Sequence, residues 1–526
     1  MLVPVNGLQA KIYLLAVSSW KGRGLMARNE VKWGAILSYV LIIANAMYGL
    51  VIMPFVLRTI GESEYGVYKT IGALTTTVSV MELGLGSTMQ RFLAKYRAQG
   101  DERKCQNFSA MCIIQAIILC AGVLAVGTVL FFTLEPTYGK TFTVPEMVRA
   151  KQIFVLLIVH VLLHFFENIF FGIIAGYNKF VFSNTAKICA LAVKIMLLLT
   201  ILPHASNAIS IVAISLGVEV VTLTGEYLFV TRVIGHKIRL FFWDKEVFRE
   251  SFIYTIMLFV QSLIIQFNGN VDNIVIGAMM GTTAVTVYSF ALQIFNMYEQ
   301  CATAISGVVL PSITNQIYGG ATPQSLEQTV VRFGRAQWAV LGAALGGFAC
   351  LGQEFFYLWL GEGFGDCYYL ALILMVPVTI PLIVNVCLAI LKAKNLMTFR
   401  TLSLAYSAVL NVILTVIGTH FWGYWAAAAG TAAATLVGSV LSMNIYYYVK
   451  LKMNMVRIYF MILRRITLCV GLAVLGVLPL NGLLSGTWRA LGLKAIVFIG
   501  IYGITMLLFG MTALERASVW RKRVKK

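Results

Sequence analysis

Charge is what this sequence lacks. Only 12% of its 526 residues are Asp, Glu, Lys or Arg, against about a quarter in a soluble domain, so a water-soluble globule is excluded. Acids are the scarcer sign, 21 against 41 bases. The nine cysteines form no CxxC pair and no metal-like cluster; lying mostly in apolar stretches, they read as small packing residues. No polar loop exceeds roughly 20 residues, and even a small catalytic domain needs ~50. No motif for nucleotide-sugar or metal binding is present, which leaves an enzyme only an intramembrane site.

Apolar runs fill the space. Hydrophobic residues make up 59% of the chain, mean hydropathy is +0.84, and stretches of roughly 20 apolar residues, each enough for one crossing, recur throughout. About fourteen can be counted between 34 and 513, among them 66–89, 152–176, 181–203, 207–231, 250–271, 283–311 and 367–390. The fold class is all-α and polytopic. Most of the bases fall in the N-terminal arm, alternate loops and C-terminal tail (Arg91, Lys95 and Arg97; Arg232, Lys237 and Arg239; Arg457, Arg464 and Arg465). That bias places both ends in the cytoplasm. The basicity then reports topology and anionic headgroups rather than nucleic acid. Residues 1–25 lack the core and cleavage site of a signal peptide. Residues 1–33 read as a cytoplasmic or interfacial arm.

Against this background the stretch from Ile153 to Thr231 stands out, because three consecutive spans carry ionisable residues. His160, His164 and Glu167 are spaced four and three apart; Lys187 and Lys194, and Glu219 and Glu226, are each seven apart, so every set shares a helix face. A mid-bilayer charge costs at least ~2.5–3.5 kcal/mol, so such residues face protein interior or a wet cavity. Counting depth at about 1.5 Å per residue puts Glu167, Lys187 and Glu226 in one layer and His160, His164, Lys194 and Glu219 in another. This seam reads as the wall of a transport pathway; self-neutralising pairs that pin helix to helix would give the same pattern.

The chain also contains a weak copy of itself. At an offset of 220, Gly61, Val67 and Tyr68 meet Gly281, Val287 and Tyr288; at 217, Asn168, Asn178 and Leu197 meet Asn385, Asn395 and Leu414, and Lys194 meets Asn411. An offset of six spans preserves direction, which implies two parallel repeats: an N-lobe over 34–232, a link over 233–249, a C-lobe over 250–450, and two more spans with a basic tail over 451–526. The link mixes Leu240, Phe241, Phe242 and Trp243 with bases, as suits a segment on the headgroup surface. Gly84, Gly86, Gly342, Gly346, Gly347 and Ala426 to Ala434 suit close helix approach. Pro377 and Pro381 suit a kink, for packing or for movement. In the C-lobe the polar residues Gln261, Asn268, Glu299, Asn385 and Asn411 suit sugar hydroxyls, and equally helix–helix hydrogen bonds.

The segments Gly61-Glu-Ser-Glu-Tyr-Gly-Val-Tyr68, Met81-Glu-Leu-Gly-Leu-Gly-Ser-Thr-Met-Gln-Arg91 and Asp272-Asn-Ile-Val-Ile-Gly277 carry a family likeness. Over residues 30–450 the chain resembles the Wzx-type polysaccharide-repeat-unit flippases of the multidrug/oligosaccharidyl-lipid/polysaccharide exporter superfamily. The resemblance implies two six-helix lobes in a V that move undecaprenyl-diphosphate-linked oligosaccharide across the bacterial cytoplasmic membrane by alternating access. O-antigen, capsule or exopolysaccharide synthesis would follow, with a polymerase or export machinery as partner. By motif, Glu82, Arg91 and Asp272 take the family's acidic, basic and acidic positions. Arg91, Lys187 and Lys194 are expected to hold the diphosphate. Glu82, His164, Glu167, Glu219 and Glu226 are expected to take a coupling H⁺ or Na⁺, with no other cofactor and no metal. A cation-coupled multidrug antiporter and a lipid II flippase of the same superfamily are the alternatives.

Overall fold

In hydrocarbon each unpaired backbone group costs several kcal/mol, so a chain this apolar must close its hydrogen bonds within its own segments. The computed structural model describes residues 33, 36–38, 40–79, 83–306, 313, 316–317, 322–394, 396–484 and 486–512, and among these there is helix but no strand. Among the described residues, eleven helices are long and apolar enough to cross a membrane. Three further expected spans are helical as well. The stretch 66–89 falls on two helices either side of residues 80–82, while 250–271 and the described part of 283–311, up to 306, fall on the helices Lys245–Met280 and Thr282–Ser306. The chain is a multi-pass membrane protein, divided into two compact units, Met1–Gln266 and Phe267–Lys526.

The first unit contains α1 (Ile36–Ile60), α2 (Glu62–Ser79), α3 (Leu83–Ala98), α4 (Glu102–Tyr138), α5 (Val144–Gly176), α6 (Phe180–Ile201) and α7 (Ala208–Val233), and the start of α8 (Lys245–Met280). Local chemistry starts these helices. Asp101 Oδ1 accepts from the Lys104 N–H at 2.9 Å, and Asn207 Oδ1 from the Ser210 N–H at 2.9 Å. Thr143 and Glu146 form a capping box ahead of α5, satisfying donors the first turn leaves open. The core is where α3, α4 and α5 meet, around Leu85, Met89, Phe92, Phe108, Phe165 and Ile169. Glycine lets the backbones touch: a Cβ on Gly172 would lie 2.7 Å from the Gly86 carbonyl oxygen, and one on Gly84 2.6 Å from that of Thr255.

The second unit holds the remainder of α8, then α9 (Thr282–Ser306), α10 (Pro323–Leu360), α11 (Asp366–Ile383), α12 (Val386–Ala393), α13 (Thr398–Trp422), α14 (Tyr424–Leu451), α15 (Met455–Val477) and α16 (Trp488–Gly510). The expected kink is a break at Val384–Asn385, just after Pro377 and Pro381. The last two helices pack on α10: Arg335 donates to the Gly510 carbonyl at 2.6 Å, Lys494 pairs with Glu354 at 2.5 Å, and a Cβ on Gly346 would lie 2.5 Å from Val470. The repeated hairpins share backbone geometry. Gly61 and Gly281 both adopt positive φ, +82° and +85°, which favours glycine at each.

The link between α7 and α8 has no regular secondary structure over 235–244 and is fastened within the first unit. His236 is buried, with Nε2 2.8 Å from Ser109 Oγ and Nδ1 3.1 Å from the Tyr177 hydroxyl. Asn107 Oδ1 accepts from the N–H groups of Phe241 (2.7 Å) and Phe242 (3.1 Å), which leaves Leu240, Phe241, Phe242 and Trp243 exposed on a basic segment. Burial, with Arg97 nearby, pushes the His236 imidazole down to about 4. The native state then binds fewer protons than an unfolded histidine at ~6.5, so this contribution is full above pH ~6.5 and is lost as pH falls toward 4. Thermal melts of the purified protein should lose stability across that window, by up to about 3 kcal/mol. His236→Asn should flatten the slope; an unchanged slope would refute the assignment.

Candidate functional site

The faces set by residue spacing on α5 and α7 meet in the first unit. His164 Nδ1 lies 2.7 Å from Glu219 Oε1 and 2.5 Å from Glu167 Oε2. His160 Nε2 lies 3.9 Å from Glu219 Oε2, and the two imidazoles stack with centroids 6.0 Å apart. One ring N–H can serve one carboxylate, and Glu167 Oε2 is buried without an aligned donor. Donor atoms of His164, Glu167 and Glu219 all fall within 4.8 Å of one another, a spacing that a shared proton or a small cation can bridge. The two expected layers are therefore joined. Side chains on a helix slope toward its N-terminus, so the Glu167 carboxylate falls back along α5 toward His164.

Glu226 lies deeper. It is fully buried, and neither carboxylate oxygen has a hydrogen-bond partner among the described residues. Lys187 on α6 is near enough to act through charge on both Glu226 and Glu167. Its ammonium nevertheless rests on an aromatic face, 4.4 Å from the centre of the Phe171 ring. Lys194 lies 5.5 Å from the Tyr48 ring, and Lys69 lies 5.3 Å and 5.9 Å from the rings of Tyr65 and Tyr68. Among the described residues none of these three lysines makes an ion pair with a carboxylate. Glu167 and Glu219 are held by imidazole and the lysines by ring faces. Cation–π contact holds an ammonium by ~0.5–2 kcal/mol and leaves N–H donors available for an anion.

Arg91 is exposed, with its guanidinium 4.5 Å from the Tyr254 ring. Glu82 lies outside the described residues, as do the side chains of Gln261 and Asn268. Asn385 marks the break between α11 and α12. Glu299 is half-buried on α9, beside Tyr298, whose hydroxyl pairs with Thr379 at 2.6 Å. Asn411 belongs to a polar knot around Asp272, a buried carboxylate on α8. Oδ2 accepts from Tyr288 and Thr431, both at 2.6 Å; Oδ1 accepts from Thr415 at 3.1 Å and Asn411 at 3.5 Å. The Asn411 Oδ1 in turn accepts from Thr415 and Thr431, both at 3.1 Å. Sequence reasoning passed over Thr415 and Thr431, because threonine on an apolar helix ordinarily bonds back to its own carbonyls.

Among the described residues the fold is all-helical and polytopic, with ionisable residues buried in its spans, which defines an integral membrane protein with a polar site inside the bilayer. The chain belongs to the polysaccharide biosynthesis protein family, whose sequence profile matches residues 31–316. No curated protein sequence matches it. Among solved structures it is similar to the lipid II flippase MurJ in an inward closed conformation, at 14% identity over 94% of this chain and 99% of that one, TM-score 0.70. It is also similar to an inward-facing multidrug resistance MATE transporter of the MOP superfamily, at 15% identity over 80% and 95%, TM-score 0.64. These identities establish a shared fold. By their names, one of these two neighbours is a flippase and the other a multidrug transporter.

A buried carboxylate without a partner is a cost that folding alone would not retain. Glu226→Gln should therefore raise the melting temperature of the detergent-purified protein, by about 1–3 kcal/mol of added stability, while transport falls. A variant that melts lower and transports normally would refute this.

Proposed function

We propose that the protein flips undecaprenyl-diphosphate-linked polysaccharide repeat units across the bacterial cytoplasmic membrane by alternating access, coupled to H⁺ or Na⁺. The observation that carries this reading is the separation of charges in the first unit. Lysines resting on aromatic rings keep donors for a diphosphate, while His164, Glu167, Glu219 and Glu226 are short of positive charge and suit a coupling ion. Two carboxylates around one imidazole nitrogen carry a net negative charge in a low-dielectric setting, so taking up a proton or monovalent cation is favourable there. Cation binding that differs between two states biases them by that difference in affinity, and so powers directional movement.

Lys187 and Lys194 would hold the diphosphate; Arg91, exposed on α3, would meet the headgroup before it reaches them. The basic ends lie in the cytoplasm, and a polymerase or export complex would take the product. A cation-coupled multidrug antiporter is the second reading, favoured by the acidic cluster and by the MATE-like fold. Lysines without carboxylate partners repel a cationic drug, which weighs against it.

In proteoliposomes, flipping of a lipid-diphosphate-linked oligosaccharide should be measurable under a proton or sodium gradient. Lys187→Gln and Lys194→Ala should each slow it by about tenfold or more, and Glu219→Gln should abolish the dependence on the gradient. Wild-type rates in variants expressed normally would refute the assignments. Gradient-driven export of a cationic dye, with no flipping, would establish the antiporter instead.

A further inference from the structure

The three span lysines stand at two levels. Lys187 lies seven residues after Phe180, where α6 begins, and Lys194 seven residues before Ile201, where it ends. Lys69 lies seven residues after Glu62 at the start of α2. α2 starts at the bundle face where α6 ends, so Lys69 and Lys194 share a level, about 10 Å from that face. Lys187 stands about 10 Å from the opposite face.

α1 meets both helices, with Met53 Sδ 3.8 Å from the Tyr65 hydroxyl on α2 and Ser38 Oγ 2.9 Å from Asn184 Nδ2 on α6, and the two ammonium groups act on each other through charge. Each rests on tyrosine, Tyr65 and Tyr68 under Lys69 and Tyr48 under Lys194. The acid nearest Lys194 in charge terms is Glu219, which is hydrogen-bonded to His164 and forms no ion pair with the lysine among the described residues. Two like charges side by side in a span are unfavourable unless an anion joins them. The Tyr48 hydroxyl is buried and has no hydrogen-bond partner among the described residues. Tyr48 also opens a π-helical turn, Tyr48–Ile52, a distortion frequent at functional sites.

We infer that Lys69, Lys194 and Tyr48 form a second phosphoanion subsite, which takes the diphosphate of the lipid-linked substrate after Lys187 has held it at the other level. The inference rests on the flippase reading and adds a relay to it. Two ammonium groups and a phenol suit a group with charge on several oxygens, and ammonium–phosphate hydrogen bonds are the strong, charge-assisted kind. A ligand passed between two moderate sites crosses more readily than one bound at a single tight site, since it has to leave as well as enter.

The test is calorimetric binding to the full-length protein in detergent, with farnesyl diphosphate, inorganic pyrophosphate and farnesol as probes. Farnesyl diphosphate should bind more tightly than farnesol. Lys69→Gln and Lys194→Gln should each weaken it about tenfold and Tyr48→Phe about fivefold, with farnesol binding unchanged. Lys69→Arg, which keeps the charge, should restore most of the loss and control for folding. Pyrophosphate binding with the same sensitivity supports an anion site open to free phosphoanions; farnesyl diphosphate binding alone supports one that takes lipid headgroups. If the wild type binds diphosphate but Lys69→Gln, Lys194→Gln and Tyr48→Phe leave the affinity intact, the subsite is wrong and the flippase reading stands. If the wild type binds farnesyl diphosphate no better than farnesol, the flippase reading falls as well.

Discussion

The arrangement depends on one imidazole held between two carboxylates. In water the contact of His164 with Glu167 and Glu219 would be a weak surface pair; inside a helical bundle it decides what else can be present. A buried carboxylate is tolerated when a donor or cation meets it, and a single ring nitrogen cannot fully satisfy two. The shortfall gives the first unit an affinity for positive charge that the helix-forming residues around it do not supply. The neighbouring lysines then acquire their importance, since they could have closed the gap and instead lie on Phe171, Tyr48 and Tyr65.

The second unit treats the same problem differently. Its buried acid, Asp272, is surrounded by neutral donors from Tyr288, Thr415, Thr431 and Asn411. Tyr288 and Asn411 hold the positions that Tyr68 and Lys194 hold in the first copy of the repeat. At these paired positions one unit carries lysine on aromatic rings and the other a hydroxyl-rich knot. Gly61 and Gly281 share a positive φ, although the polar side chains of the two units differ.

Much of this was legible in the sequence, for identifiable reasons. Oil-length helices and the shared faces on α5 and α7 follow from periodicity, because a side chain's azimuth is fixed by its spacing. The glycine contacts follow from residue size. Layers along the membrane normal were less secure: a long side chain travels about as far along the helix as three residues rise, which is how His164 reaches both expected layers. Partners across space were not legible at all. Nothing near Lys69 in the sequence signals that it approaches Lys194, and Thr431 reveals its bond to Asp272 only once α14 is laid against α8. Arg91, a ligand residue by motif, lies exposed against Tyr254, a partner that its place in the sequence does not signal.

The π-helical turn in α1 has a wider meaning. Each residue advances a helix by about 100°, so an extra one absorbed at Tyr48–Ile52 turns the two halves of α1 against each other. Met53, Val56, Leu57 and Ile60 keep their place in the core, while Tyr48 is aimed toward Lys194. A single-residue insertion can thereby re-aim one aromatic ring and leave every loop length and every packed face as it was. That offers proteins of this build a small evolutionary step by which cargo preference can drift without the scaffold being rebuilt.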